Sequence, residues 1–273
     1  MLVIGVFLCV HEWWTAPNGR TTVVRFFDVA QGDSAFITGP HGQQVLIDGG
    51  PDLSALEQLG HAMPFFDRTI DILILTHPHL DHVAGFPEIL RRYHVGRVII
   101  TAAAYENGRY EEFLHLVGAQ KIPIVIADPN RDLDLGDGLT LDILWPPPMY
   151  FGKTIKRIHD SCIVFKLVFG KNSILFTGDA EESVEEELLS EHIDLHADIL
   201  KVGHHGSKTS SSSGFLLAVN PALSIISVGA QNSYGLPSPV ILNRFHHFSL
   251  PFRTTMSGAI TVRMEGEEWG VKQ

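Results

Sequence analysis

Residues 76–86 read THPHLDHVAGF, and the seven residues THPHLDH contain His77, His79, Asp81 and His82 directly after the apolar run DILIL. His77 and His79 are two apart, so extended backbone points both rings the same way. Asp81 and His82 follow as the chain turns towards a helix. That spacing can give a pair of imidazoles to one cation and an Asp–His pair to a second. Imidazole and carboxylate suit zinc, manganese or iron better than the softer copper. A polar strand end with solvent-facing histidines is the plain alternative, and four ligand-type groups in so short a stretch disfavour it. Two further strand ends carry groups of the same kind, ILFTGD with Asp179 and ADILKVGHHGS with His204 and His205. Alone, the first reads as a turn and the second as a loop. In a layered α/β fold, strand ends on one sheet edge gather into a crevice, where an aspartate can bridge two cations and a histidine can complete the second ligand set.

Those groups need strands to carry them. From residue 22 the chain alternates short β-like runs with helical stretches. TVVRFFDV, SAFIT, QVLIDGG and DILILTH read as strands separated by Gly, Pro and Asp turns. A helix is expected over HVAGFPEILRRYH, then a strand at RVIIT, a helix at GRYEEFLHLVGA and a strand at IPIVIA. The second half repeats the sense of the first. LTLDILWP, SCIVFKLVFG and NSILFTGD read as strands and AEESVEEELLSEH as a helix whose acidic residues form a solvated outer face. Then come the strand of ADILKV, a short helix at SSGFLLAVN, a strand at LSIISVG, a helix at SPVILNRFH and β structure to the end. Two β-rich halves, each ending in helices, predict two sheets packed face to face with helices outside, joined near residues 128–148.

The chain has 273 residues, 45% of them hydrophobic and 19% charged, which is an ordinary globular balance long enough for a substantial core. Its net charge of −11 excludes a broad basic surface for gripping nucleic acid, so an anionic substrate needs cations or a few positive side chains at the site. Cys9 and Cys162 form neither a CxxC pair nor a disulfide framework, and Cys162 reads as a buried thiol in a core strand. Residues 1–20 form an apolar N-terminal segment or tail. Its apolar start, MLVIGVFLCV, lacks a basic n-region and is too short to span a bilayer, so it is either an edge strand or tail or the remnant of a membrane segment. Residues 21–273 are expected to form one domain.

With these motifs in place, the chain resembles the metallo-β-lactamase fold superfamily, whose HxHxDH signature stands here as His77-Pro78-His79-Leu80-Asp81-His82. More narrowly it is similar to the C-terminal hydrolase domain of ComEC-type competence proteins. The matching text is FFDVAQGDSAFI, VLIDGG, ILTHPHLDHVAGF, HDSCIVFKL, ILFTGDAE, DILKVGHHGSKTSSS and NPALSIISVGAQNSYGLPSP. The resemblance implies a four-layer αββα sandwich with a dinuclear centre of two divalent ions, zinc or manganese, at one edge. It implies His77, His79, Asp81, His82, Asp179 and His205 as ligands, with Asp179 bridging. His204 becomes a partner of His205 or a competing ligand, Asp48 a carboxylate that orients the ligand loop, and Asp33 a residue lining the site. Many members supply a further ligand between the signature and the bridging aspartate. Here His159-Asp160-Ser161 stands in that place, Asp160 being the expected ligand and His159 its rival. Where relatives read YGHP this chain has Tyr234-Gly235-Leu236-Pro237, which leaves Tyr234 to meet substrate without that histidine.

The expected chemistry is hydrolysis. Two cations about 3.5–4 Å apart would hold a hydroxide with a pKa near 7 for in-line attack on phosphorus, steered by Asp81 or Asp179. Ser207 and Lys208, just beyond the histidine pair, are placed to meet a phosphate oxygen, or else SKTSSSSG merely caps the next helix. A phosphodiesterase or nuclease acting on single strands or ends of DNA is the leading reading, with a membrane or transporter partner open. A hydrolase of a small or envelope substrate, a phosphocholine-type ester or a lactam, is the first rival. A non-catalytic scaffold, which would be expected to have lost its ligands, is the second.

Overall fold

A strand covered on both faces must be apolar at odd and even positions alike, and DILIL is such a run. In the computed structural model, which describes residues 19–101 and 103–273, it forms the C-terminal five residues of β4 (Thr69–Leu75). Ile72 and Ile74 face the space between two sheets, while Leu73 and Leu75 face a layer of helices. The expectations for the N-terminal segment up to residue 18, and for Cys9, lie outside the described residues.

Among the described residues the first sheet begins with β1 (Thr21–Phe26), β2 (Ala35–Thr38), β3 (Gln44–Ile47), β4, β5 (His94–Ile100) and β6 (Ile124–Ile126). The chain then crosses to β7 (Leu133–Asp134), β8 (Leu139–Trp145), β9 (Val164–Phe169), β10 (Asn172–Phe176), β11 (Ile199–Lys201), β12 (Leu223–Ile226) and β13 (Phe252–Thr254), which make the second. A closing hairpin, β14 (Ile260–Glu265) and β15 (Glu268–Lys272), returns to the first sheet. There β14 pairs antiparallel with β1, Val24 opposite Val262. The expected division into two sequential halves is therefore corrected. Residues 128–148 hold β7 and β8 rather than a plain junction, and the C-terminus completes the sheet that the N-terminal half begins.

Three apolar clusters separate four layers. Phe26, Ile74, Phe165 and Phe176 lie between the sheets, where Phe26 and Phe165 both stack on Phe176 with ring centroids 5.6 and 4.9 Å away. Outside the first sheet pack α1 (Ser54–Ala62), α2 (Leu80–Val83), α3 (Phe86–Arg92) and α4 (Gly108–Ala119), through Leu59, Val83, Phe86 and Phe113. Outside the second pack α5 (Glu182–Ser190), α6 (Ser213–Val219) and α7 (Pro239–His247), through Leu188, Phe215 and Phe245. This is the four-layer αββα sandwich. Burying each such side chain contributes about 1.5–3 kcal/mol.

Two local departures matter for the site. The helix expected over HVAGFPEILRRYH is two helices, α2 and α3, separated by Gly85, and a side chain at Gly85 would meet the Gly49 carbonyl oxygen. This close approach locks the β3 loop against the motif. In α5 most glutamates face outward as expected, but Glu185 is 2% exposed. Its carboxylate accepts the amides of Ser211 and Ser212, the latter at 2.8 Å, and so pins the serine-rich loop.

Gly85→Ala should destabilise the chain by about 1–3 kcal/mol, because backbone rather than a mobile side chain must give way. Gly60→Ala, in α1 with open space around it, should be stabilising by up to about 1 kcal/mol. Thermal unfolding of the two variants checks this, and equal shifts would contradict the close packing.

Candidate metal centre

The C-terminal ends of parallel strands from both sheets open on one edge, the usual place for a site in such sheets. β4 delivers Thr76 and His77. The chain then turns through Pro78 into α2, with His79 extended just ahead of it (φ −69°, ψ 154°) and Asp81 and His82 inside it. Asp48, just after β3, fixes this turn. Its Oδ1 accepts Thr76 N at 2.8 Å, and its Oδ2 accepts Thr76 Oγ1 at 2.7 Å and lies 2.8 Å from His82 Nδ1. With Nδ1 committed to Asp48, His82 presents Nε2 to the site.

From the second sheet, β10 delivers Asp179 and β11 delivers His204 and His205. Asp179 N donates to Cys162 Sγ at 3.2 Å. Gly178 before it has φ 49° and no room for a side chain, because a Cβ would meet the same sulfur. Asp179 Oδ2 then lies 3.4 Å from His82 Nε2, 3.5 Å from His205 Nε2 and 3.8 Å from His77 Nε2. His205 Nδ1 lies 3.0 Å from the Ser227 carbonyl oxygen, and its Nε2 is 3.1 Å from Asp81 Oδ2. His204 and His205 both adopt left-handed backbone, φ 47° and 53°, which costs on the order of 1–3 kcal/mol each.

Ligand-type atoms thus gather in adjoining groups, each within 4.8 Å: His77, His79 and His159; and Asp81, His82, Asp179 and His205. Nε2 of His77, Nε2 of His82 and Oδ1 of Asp179 are buried without a hydrogen-bond partner. Buried polar atoms are rarely left so, and nitrogen and carboxylate donors converging in this way fit divalent cations such as zinc or manganese. The electrostatics agree. Burial and its histidine neighbours hold His79 down at about 4 and His77 well below the ordinary value, so both rings are neutral donors. For His205 burial opposes the charge, but Asp179 and Asp33 outweigh it and raise the ring to about 10. Asp179, Asp48 and Asp81 likewise outweigh burial at His82 and raise it well above the ordinary value. In the metal-free chain these two protons occupy the place of cations.

The structure corrects one expected ligand. Asp160 turns away: its Oδ1 accepts Ser183 Oγ at 2.9 Å and its Oδ2 accepts Arg157 Nε at 3.1 Å. His159 takes the position instead, with Nε2 3.1 Å from His79 Nδ1. The short 3-10 turn Ile158–Ser161 decides between the neighbours, because Trp145 Nε1 holds the Asp160 carbonyl at 2.7 Å. Asp33 does not line the open site but sits behind His205, 5% exposed and paired with Lys201. His204 borders the cleft, 3.2 Å from Glu181 Oε1, rather than joining His205. Ser207 bonds Thr209, at 3.0 Å between hydroxyls, and neither it nor the exposed Lys208 lines the cleft. Ser212 does cap α6, accepting Phe215 N at 3.3 Å. The cleft, about 410 Å³, is lined by His79, Asp81, His159, Asp179, His204 and His205, with Leu80, Tyr234 and Leu236 also contributing.

Sequence reasoning missed Glu181, Lys201 and the part Cys162 plays. Glu181 Oε1 lies 3.4 Å from His159 Nδ1 and, with His159 and His204, forms a further candidate cation group. Cys162 is buried as expected, its thiol pushed up to about 12 by burial and Asp179, but it seats Asp179 rather than only filling the core.

A family model described as the Metallo-beta-lactamase superfamily matches residues 27–229, most of the chain and every group named above from Asp33 to Ser227. The chain belongs to that superfamily. Among relatives of this chain, ComE operon protein 3 of Bacillus subtilis is 32% identical over 260 residues, 88% of the chain and 33% of that protein. Endoribonuclease ysh1 of Schizosaccharomyces pombe is 32% identical over 197 residues, 63% of the chain and 24% of that protein. The chain thus spans about a third or less of the length of these relatives. The solved metallo-beta-lactamase fold protein YhfI from Bacillus subtilis shares the fold, at a TM-score of 0.59 and 14% identity over 92% of this chain and all of that one.

Two outcomes are expected. His159→Ala should lower metal content while Asp160→Ala leaves it near the unsubstituted level, which elemental analysis after dialysis decides. Metal uptake at pH 7 should release protons from His82 and His205 and weaken as pH falls, seen as a buffer-dependent heat in titration calorimetry. Heats independent of buffer would contradict it.

Proposed function

We propose that this chain is a metal-dependent phosphodiesterase that cleaves nucleic acid, with DNA single strands or ends as its substrate. The observation that carries the reading is the position of Asp179 Oδ2, within 3.8 Å of three imidazoles contributed by both sheets. In this reading His77, His79 and His159 would hold one ion and Asp81, His82 and His205 the other, with Asp179 available to both. Bound divalent ions supply Lewis acidity for a phosphoryl oxygen and lower the pKa of water.

The chain's own residues do the rest. Asp48 keeps the His82 ring fixed, so no reorganisation is needed as charge develops. The Asp81 side chain, 32% exposed, is the most open of the clustered carboxylates and faces the cleft, where it orients the attacking water. Tyr234, 74% exposed on the cleft rim, offers an aromatic face on which an unpaired base can stack, and Leu80, 55% exposed, an apolar contact beside it. A net charge of −11 makes the recognition local, which favours a threaded strand or end over sequence-independent duplex binding. The likeness to a relative named an endoribonuclease supports phosphodiester over lactam chemistry.

Purified protein loaded with manganese or zinc should cleave single-stranded DNA and a chromogenic phosphodiester. Asp179→Asn and His79→Ala should each lower kcat/KM by more than about 100-fold, beyond the loss typical of residues that merely orient a ligand. Full activity in either variant, or turnover of a lactam without a phosphodiester, would sink the proposal.

A further inference from the structure

Lys201 ends β11, buried behind the cleft, and has no part in the proposed chemistry. Its Nζ lies 2.6 Å from Asp33 Oδ2 and donates to the Val202 carbonyl at 3.0 Å. The two side chains are 5% and 7% exposed. Removing two charges from water costs several kcal/mol per ion even after relaxation. A pair this deeply buried, at the seam between the sheets, is an expensive way to fill space.

The pair points at the metal centre. Asp33 Oδ1 has no hydrogen-bond partner and lies 3.5 Å from His205 Nδ1. The backbone of Asp33 is tied to the ligand loop as well, its N donating to the Asp81 carbonyl at 3.2 Å. Lys201 supplies the full positive charge, at hydrogen-bond distance, that offsets burial of this carboxylate. Asp33 borders a narrow internal cavity lined also by Ser34, Asp48 and Thr76, and it lies within 4.8 Å of ligand-type atoms of Asp48 and His82.

We propose that Lys201 is a positioning residue for the metal centre: its ion pair holds the Asp33 carboxylate 3.5 Å behind His205 Nδ1, where its charge reinforces the Ser227 carbonyl contact that turns Nε2 towards the second ion. A carboxylate behind a ligating imidazole strengthens it as a donor. The inference rests on the two-ion reading of the site and adds the residue that sets the strength of one half of it.

Metal affinity and stoichiometry, measured by competition with a chelator, separate the possibilities when combined with thermal unfolding of the metal-free chain. Lys201→Met should weaken the second ion about 10–100-fold while the first is retained. The double variant Lys201→Met/Asp33→Asn leaves no unpaired buried charge, so its unfolding temperature should recover towards that of the unsubstituted chain. Its second ion should nevertheless stay weak, because no carboxylate backs His205. A double variant that binds both ions normally, or a Lys201→Met chain that loses both equally or binds the second more tightly, would overturn the proposal. An unsubstituted chain that takes up no metal would overturn the two-ion reading and this inference together.

Discussion

Carboxylates at Asp33, Asp48 and Asp179 are each 5% exposed or less, and they meet Asp81 at a single strand edge. Burying one such charge without an answering one is prohibitive, and the architecture of the edge follows from how each is answered. Asp33 has Lys201. Asp48 has the His82 ring and both polar groups of Thr76. Asp179 has three imidazoles and a buried amide–sulfur contact that seats it. Even so, orphaned atoms remain at His77, His82 and Asp179, and divalent cations are the species that would satisfy them.

Most of these answers cross from one sheet to the other. Lys201 and His205 come from the second sheet and meet Asp33 and Asp81 of the first, while His77 and His82 of the first meet Asp179 of the second. Thr76 also accepts Ile163 N across the seam, at 2.9 Å. Sheet packing and site geometry are therefore one problem. The Phe26–Phe176–Phe165 stack fixes how the sheets meet, and that alignment puts ligand atoms from opposite layers within a few ångströms. The left-handed pair His204–His205 and the side-chain-free Gly178 are local strains and restrictions that this alignment has to support.

What could be read from the sequence tracks distance along the chain. His77, His79, Asp81 and His82 stand together in the text, and apolar runs such as DILIL announce their own strands, so the sandwich and the heart of the site were legible. Helix α1 was not, because its buried positions Ala55 and Leu59 are too few among polar neighbours to declare a periodicity. The return of β14 to β1 is a pairing across more than two hundred residues that no local pattern encodes. His159 and Asp160 are adjacent and equally plausible as ligands. The choice between them is made by Trp145 and Ser183, which only the fold brings near. Lys201 and Glu181 were hidden for the same reason, each being an ordinary charged residue until its partner arrives from another element.

In the proposed two-ion centre, Asp179 would stand between the ions. Anomalous diffraction from crystals of the zinc- or manganese-loaded chain tests it most directly. Two peaks flanking Asp179 are expected, one among His77, His79 and His159 and the other among Asp81, His82 and His205. A single peak, or a peak at the His159–Glu181–His204 group instead, would contradict it.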